Sequence, residues 1–229
     1  MLNEILSSYK LRQILQNIPH SLKGDETIHM SMALSLLEFI RYKDDYLEEH
    51  SLKVAAYTKR VAQYLGLSRK IVNEYYYSAL LHDIGKIGIK DTILNKKSYL
   101  NKEEWQEMMK HPELGAAIVE EVFKLESLGD NIMFHHKYYD GRGYPQTLIQ
   151  GDEIPLGARI IAVCDAYDAM TTDRPYRRAF SKDEAYRELN KCAGTQFDPQ
   201  LVEVFIAVME LSAKEHLDGN KKCPLFTNK

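Results

Sequence analysis

The 229-residue chain has only three cysteines, seven prolines and one tryptophan. Cys164, Cys192 and Cys223 show no paired spacing, and an odd number fits a reducing compartment better than a disulfide framework. Each reads as small core or surface filler. No run approaches the roughly 18 apolar residues needed to span a bilayer. Residues 1–10 carry Glu4 and Lys10 inside an amphipathic stretch, so no signal peptide or membrane anchor is expected and the expected location is cytoplasmic. Nor is there an excess of one charge, since 30 Lys plus Arg face 33 Asp plus Glu for a formal net charge of −3. That balance argues against a surface that coats polymeric nucleic acid or anionic lipid, and leaves a small anionic ligand in a local pocket. Internal repeats and low-complexity tracts are absent.

What remains is ordinary globular composition, 45% hydrophobic and 28% charged, which excludes disorder, collagen and a disulfide-rich miniprotein. Apolar residues recur at helical spacing: Ile5, Leu6, Leu11, Ile14, Leu15 and Ile18, then Met30, Ala33, Leu34, Leu37 and Ile40, then Val54, Thr58, Val61, Ala62 and Leu65. The chain reads as all-α, with about nine or ten helices. Pro19 and Gly66 close helices. Asn101 with Glu104 and Ser181 with Glu184 have capping-box spacing, and Asp198-Pro199 starts another helix. Residues 137–155 break the pattern with Asp140, Gly141, Gly143, Pro145, Gly151 and Pro155, and a loop that long inside a compact domain is usually functional. Two regions suffice: a helical N-terminal segment, residues 1–45, and a catalytic-looking helical domain, residues 46–229. The first either packs on the catalytic helices or forms a homodimer interface.

Histidines and carboxylates carry the chemistry. His82-Asp83 ends an apolar helix, and both can face one metal only if the backbone turns there, which Gly85 permits. Taken singly, each histidine is more commonly a buried, hydrogen-bonded core residue than a ligand. His135-His136 immediately precede the irregular loop. Neighbouring side chains on a regular helix diverge by about 100°, so this pair would serve different metals or meet where the helix ends, unless one is a cap and the other is exposed. Asp165 and Asp168 interrupt a helix apolar enough to be central, at i and i+3 on one face. Salt bridges to Arg159 or Arg174 are the bland alternative. The mixed nitrogen and oxygen donors suit Fe, Mn, Zn, Co or Ni rather than Ca or Mg. Two such ions about 3.5 to 4 Å apart imply metal-assisted phosphoester hydrolysis.

His82-Asp83-Ile84-Gly85-Lys86, with His50 upstream, resembles the HD phosphohydrolase superfamily. His135-His136 followed by Asp140-Gly141-Arg142-Gly143-Tyr144-Pro145 resembles its HD-GYP branch. The likeness runs over residues 50–205 through Glu103-Glu104-Trp105, His111-Pro112, Gly115, Ile154-Pro155-Leu156, Ala158-Arg159, Asp165, Asp168-Ala169 and Arg174-Pro175-Tyr176-Arg177. It implies an HD-domain helical bundle that hydrolyses cyclic di-GMP to the linear dinucleotide pGpG, and in some cases on to GMP, with two divalent transition-metal ions, iron or manganese first. By the same likeness His50, His82, Asp83 and Asp165 would hold one metal, and Asp83 would bridge to a second held by His111, His135 and His136. Lys86 would aim its ammonium at the bridging hydroxide or the scissile phosphate, and Asp168 would orient Lys86 or a ligand. Tyr144 would contact a guanine or ribose face, and Arg174 and Arg177 would engage phosphate or base edges. Arg142 reads as a loop cation in solvent, and His20, His29 and His216 as surface or cap residues.

Three departures from the family pattern stand out. Tyr46 occupies the place of a glutamate that supports a third metal in some members, so two metals are expected. Lys137 replaces a common glutamate, and is expected either to alter hydrogen bonding to a ligand histidine or to be exposed. Lys97-Ser98 stands where Pro-Gly is common. Two other readings stay open beside the enzyme: a cyclic-dinucleotide receptor that engages diguanylate cyclases (GGDEF proteins) through the Gly-Tyr-Pro loop, and an HD phosphohydrolase acting on cyclic GMP-AMP.

Overall fold

The computed structural model describes residues 32–33, 35–37, 45–173 and 178–217. Residues 32–33 and 35–37 are helical. They are followed by α1 (Asp45–Tyr64), α2 (Arg69–Leu80), a 3-10 turn (Ile84–Gly88), α3 (Asp91–Leu94), α4 (Lys102–Met108), α5 (His111–Phe123) and α6 (Glu126–Met133). After a second 3-10 turn (Gly151–Glu153) come α7 (Leu156–Thr171), α8 (Lys182–Lys191) and α9 (Pro199–Leu217). Among the described residues the extended pairings are isolated bridges, Lys137 with Gly143 and Ala193 with Phe197, so the all-α expectation holds.

Local chemistry sets the helix ends. Gly66, at φ +71°, lies just beyond α1, where a left-handed residue closes a helix at least cost. Asn101 and Glu104 form a reciprocal capping box on α4, as Ser181 and Glu184 do on α8. The Asp198 carboxylate accepts from the amides of Gln200 and Leu201 and starts α9. Pro19 and the earliest apolar run lie outside the described residues. The 137–155 segment is irregular apart from its short 3-10 turn.

The central element is α7, which packs on α1, α2, α6, α8 and α9. It buries Ile160, Ile161, Val163, Cys164, Tyr167 and Met170, and α1 answers with Val54, Thr58, Val61 and Ala62. Ala33, Leu36 and Leu37 belong to the same core, so the described part of the N-terminal segment packs on the bundle. Cys164 and Cys192 are free thiols. No helix among the described residues is long and apolar enough to cross a membrane.

Three aromatic rings weld α1, α7 and α9. Phe205 meets Tyr167 at 4.9 Å and Tyr57 at 6.1 Å, and Tyr57 meets Tyr167 at 5.6 Å, all edge-on. Perpendicular rings bring a positive edge to a negative face, which adds to the burial term. Phe205 is almost fully buried, so Phe205→Ala is expected to cost about 3–5 kcal/mol, read as a lowered thermal midpoint.

Candidate metal centre

Five separate chain segments deliver the site. His50 lies within α1, His82 and Asp83 in the turn after α2, and His111 at the first position of α5. His135 and His136 follow the end of α6, and Asp165 and Asp168 lie on α7. The turn after α2 presses closely on α5. A Cβ at Gly85 would stand 1.9 Å from the His111 carbonyl oxygen and 2.5 Å from the Gly115 nitrogen. Gly85 is therefore required by this close approach; its φ is not positive, so backbone freedom in the turn is not the reason. His135 and His136 sit past the last regular turn of α6, and their ring centroids come within 4.0 Å. The pair meets where the helix ends.

The donor atoms form two groups, His50 with His82 and Asp83, and His111 with His135 and His136, each with its ligand atoms within 4.8 Å of one another. Asp83 touches both: Oδ2 lies 3.4 Å from His82 Nε2, and Oδ1 lies 3.3 Å from His111 Nε2. Asp165 Oδ1 lies 3.2 Å from His50 Nε2. The Lys86 ammonium donates to Asp83 Oδ2 at 2.6 Å.

Behind the inward-facing nitrogens stand fixed acceptors. The Nδ1 atoms of His82, His111 and His135 bond the carbonyl oxygens of Ala79, Met108 and Ile132 at 2.8, 2.9 and 2.6 Å. A carbonyl only accepts, so each of these nitrogens carries the proton and leaves an Nε2 lone pair facing inward. Asp168 plays this part for His50, with Oδ2 at 2.7 Å from Nδ1. The Nε2 atoms of His111 and His135 are buried without any hydrogen-bond partner among the described residues. Orphaned buried acceptors of this kind are costly. Two of them aimed at a shared space fit a cation with a taste for imidazole.

Protonation follows from burial and neighbours. Burial pulls His111 down to about 3 and His136 down to about 4, and it holds His135 well below the ordinary imidazole value. These three are neutral, the form that binds metal. Burial also presses on His50, but hydrogen bonds to Asp165 and Asp168 overcome it and raise the imidazole to about 9. Asp83, against its burial, is held well below the ordinary carboxylate value by Lys86 and His82. Asp165 is held low, also against burial, by its hydrogen bond with His50.

Several expectations are sharpened or corrected. Asp168 backs a histidine, His50, while Lys86 pairs with Asp83. Arg159 bonds Asp152, Asp198 and the Ile154 carbonyl rather than Asp165 or Asp168. Lys137 is neither exposed nor bonded to a ligand histidine. It is 3% exposed, and its ammonium donates to loop carbonyls of Gly141, Pro145 and Thr147. Arg142 is exposed and paired with Asp140. Tyr144 leans over His136, with ring centroids 4.7 Å apart. Arg174 and Arg177 lie outside the described residues, as do His20, His29, Cys223 and the side chains of Tyr46 and His216. Sequence reasoning noted Trp105 without giving it a place; its half-exposed indole stands edge-on to Tyr144, at 6.4 Å.

A family model described as HD domain matches residues 34–201. The chain belongs to the HD domain family. Among the relatives similar to this HD-domain chain is a cyclic di-GMP phosphodiesterase of Vibrio cholerae, 35% identical over 213 residues, covering 86% of this chain and 43% of the relative. A cyclic di-GMP phosphodiesterase of Thermotoga maritima is 38% identical over 167 residues, covering 72% and 45%. The solved structure of a cyclic GMP-AMP-specific phosphodiesterase of Vibrio cholerae is 28% identical with a TM-score of 0.55, over 91% of this chain and 48% of that one. The HD-domain chain thus spans less than half the length of the curated relatives it matches.

The site predicts a stability optimum for the metal-free protein. His111 and His136 have depressed values, so their contribution is complete above the ordinary 6.5 and is lost as pH falls towards about 3 and about 4 respectively. His50 is raised, so its contribution is complete below 6.5 and is lost as pH rises through about 9. Each group acts with a slope of at most about 1.4 kcal/mol per pH unit inside its window. Thermal midpoints of the metal-free protein are expected to peak near pH 6.5 and to fall on both sides.

Proposed function

We propose that this HD domain is a metal-dependent phosphodiesterase that opens cyclic di-GMP to the linear dinucleotide pGpG, and releases GMP where the linear product is cut again. The observation that carries the reading is Asp83, whose single carboxylate puts one oxygen toward each histidine group. The relatives named as cyclic di-GMP phosphodiesterases support it.

In this reading His50, His82, Asp83 and Asp165 would hold one divalent transition-metal ion, iron or manganese, and Asp83, His111, His135 and His136 would hold the other. When bound, such a pair supplies Lewis acidity to phosphoryl oxygens and an acidified water as nucleophile. The carbonyls of Ala79, Met108 and Ile132, and the Asp168 carboxylate, fix the imidazole tautomers so that four Nε2 atoms point into the site. Lys86 swings its ammonium from Asp83 to the scissile phosphate, neutralises charge that develops there, and offers an Nζ proton to the departing ribose oxygen. Tyr144 stacks on a guanine or ribose face beside His136, and Arg174 and Arg177 engage phosphate or base edges.

A receptor with little turnover is favoured by one feature, the Lys137 cation near the site where the family commonly has a glutamate. With that ammonium bonded to loop carbonyls and the donor set complete, turnover is the better-supported outcome. Cyclic GMP-AMP is the second reading, favoured by the likeness to a phosphodiesterase specific for it. The two substrates differ in one of their two bases, guanine against adenine, at C2 and C6 of the purine.

The test is an anaerobic assay of the protein reconstituted with Fe(II) or Mn(II), given each cyclic dinucleotide in turn. Linear product from cyclic di-GMP, abolished by a chelator, is expected; faster hydrolysis of cyclic GMP-AMP would move the assignment to that substrate. The double variant His82→Ala, Asp83→Ala is expected to lose turnover and metal together, and undiminished values of both would sink the ligand assignment. Tyr144→Ala is expected to raise KM while metal loading stays near wild type, and an unchanged KM would remove Tyr144 from the substrate contacts.

A further inference from the structure

Immediately after the ligand histidines, the chain places a lysine where the family pattern commonly has a glutamate, and then folds a loop around it. We propose that the Lys137 ammonium is the internal fastener of the 137–147 loop, a positioning residue that sets where Tyr144 stands over His136.

Three carbonyls reached from one loop surround this cation: Gly141 at 2.6 Å, Thr147 at 2.8 Å and Pro145 at 3.4 Å. They come from both sides of Tyr144, so one ammonium ties the approach to the ring and the departure from it. An ammonium has three donors in a tetrahedral spread and no acceptor, which matches three converging carbonyl dipoles. A carboxylate at this position would set its charge against the same three oxygens. The loop's nearby acid, Asp140, is already engaged by Arg142, with Nη2 at 2.6 Å and Nε at 2.8 Å.

The backbone converges on the same geometry. Lys137 and Gly143 form an antiparallel bridge, and the Tyr144 amide donates to the His136 carbonyl at 3.1 Å. Gly143 adopts φ +76°, and a Cβ there would stand 2.3 Å from that carbonyl oxygen. The loop is thus drawn tight against the residue that carries the ligand imidazole. The Tyr144 ring rests 4.7 Å from His136 and 6.2 Å from His111, centroid to centroid. With the cation removed, the carbonyls of Gly141, Pro145 and Thr147 lose their common donor. The Tyr144 ring then loses its fixed position, while His82, His111 and His135 keep their carbonyl anchors and His50 keeps Asp168.

The kinetic consequence rests on the proposed function; the optical one does not. Trp105 is the single tryptophan of the chain, and its edge contact with Tyr144 makes its fluorescence a reporter of where the loop stands. The experiment compares the full chain with Lys137→Met, and with Lys137→Gln in case the first variant misfolds, since Gln keeps a neutral donor. Acrylamide quenching of Trp105, bound metal, and kcat and KM for cyclic di-GMP are measured on each. The expected result is a Trp105 more open to quencher, metal content near wild type, and KM raised about tenfold with kcat changed far less, the loss of roughly one charge-assisted hydrogen bond. Lys137→Arg, which keeps the charge and several donors, is expected to recover part of the KM. Unchanged quenching with an unchanged KM would overturn the proposal, and so would loss of metal with quenching unaltered, which would make Lys137 a support of the ligands instead. If the wild-type protein does not hydrolyse cyclic di-GMP, the functional reading fails by itself and quenching alone decides the role of Lys137.

Discussion

A carboxylate with almost no access to water organises this molecule. Asp83 is 3% exposed, and a buried charge of that kind survives only where opposite charge and hydrogen-bond donors surround it. Lys86 supplies the charge from three residues further along the same turn. The turn can present Lys86, His82 and Asp83 together because Gly85 lets the chain lie directly on the first turn of α5. That approach also delivers His111. One close backbone contact therefore decides whether two groups of imidazoles share a carboxylate or stand apart.

The site shows two sources of order. The bundle holds the rings of His82, His111 and His135 with short hydrogen bonds to carbonyls of the preceding turn, and these acceptors exist wherever a helix ends. The loop after His136 sets Tyr144 against Trp105 of α4 and His111 of α5. It is held by its own lysine and by amides of Tyr139 and Asp140 that donate to the Gln196 and Thr195 carbonyls. The two groups of imidazoles and the Tyr144 loop are thereby fixed by different sets of hydrogen bonds.

Much of this was legible in the sequence, because side-chain chemistry and spacing survive any detail of packing. The all-α class follows from a 3.6-residue period, the caps from Asn101, Ser181 and Asp198, and the meeting of His135 with His136 from the loop that must begin there. What was not legible depended on partners distant along the chain. The i, i+3 spacing puts Asp165 and Asp168 on one face, but only the packing of α1 against α7 shows that both face His50. Lys137 was misread because its acceptors are backbone carbonyls. Every residue has one, so no pattern of side chains announces where three will converge. Gly85 was read as a source of backbone freedom when its value is the absence of a side chain.

Helix α7 adds a last consequence. Asp165 and Asp168 flank Tyr167, which belongs to the aromatic cluster of Tyr57 and Phe205. The two carboxylates that grip His50 thus ride on the same two turns of helix that the rings clamp in place. Packing that stabilises the core therefore also sets where the two carboxylates beside His50 stand.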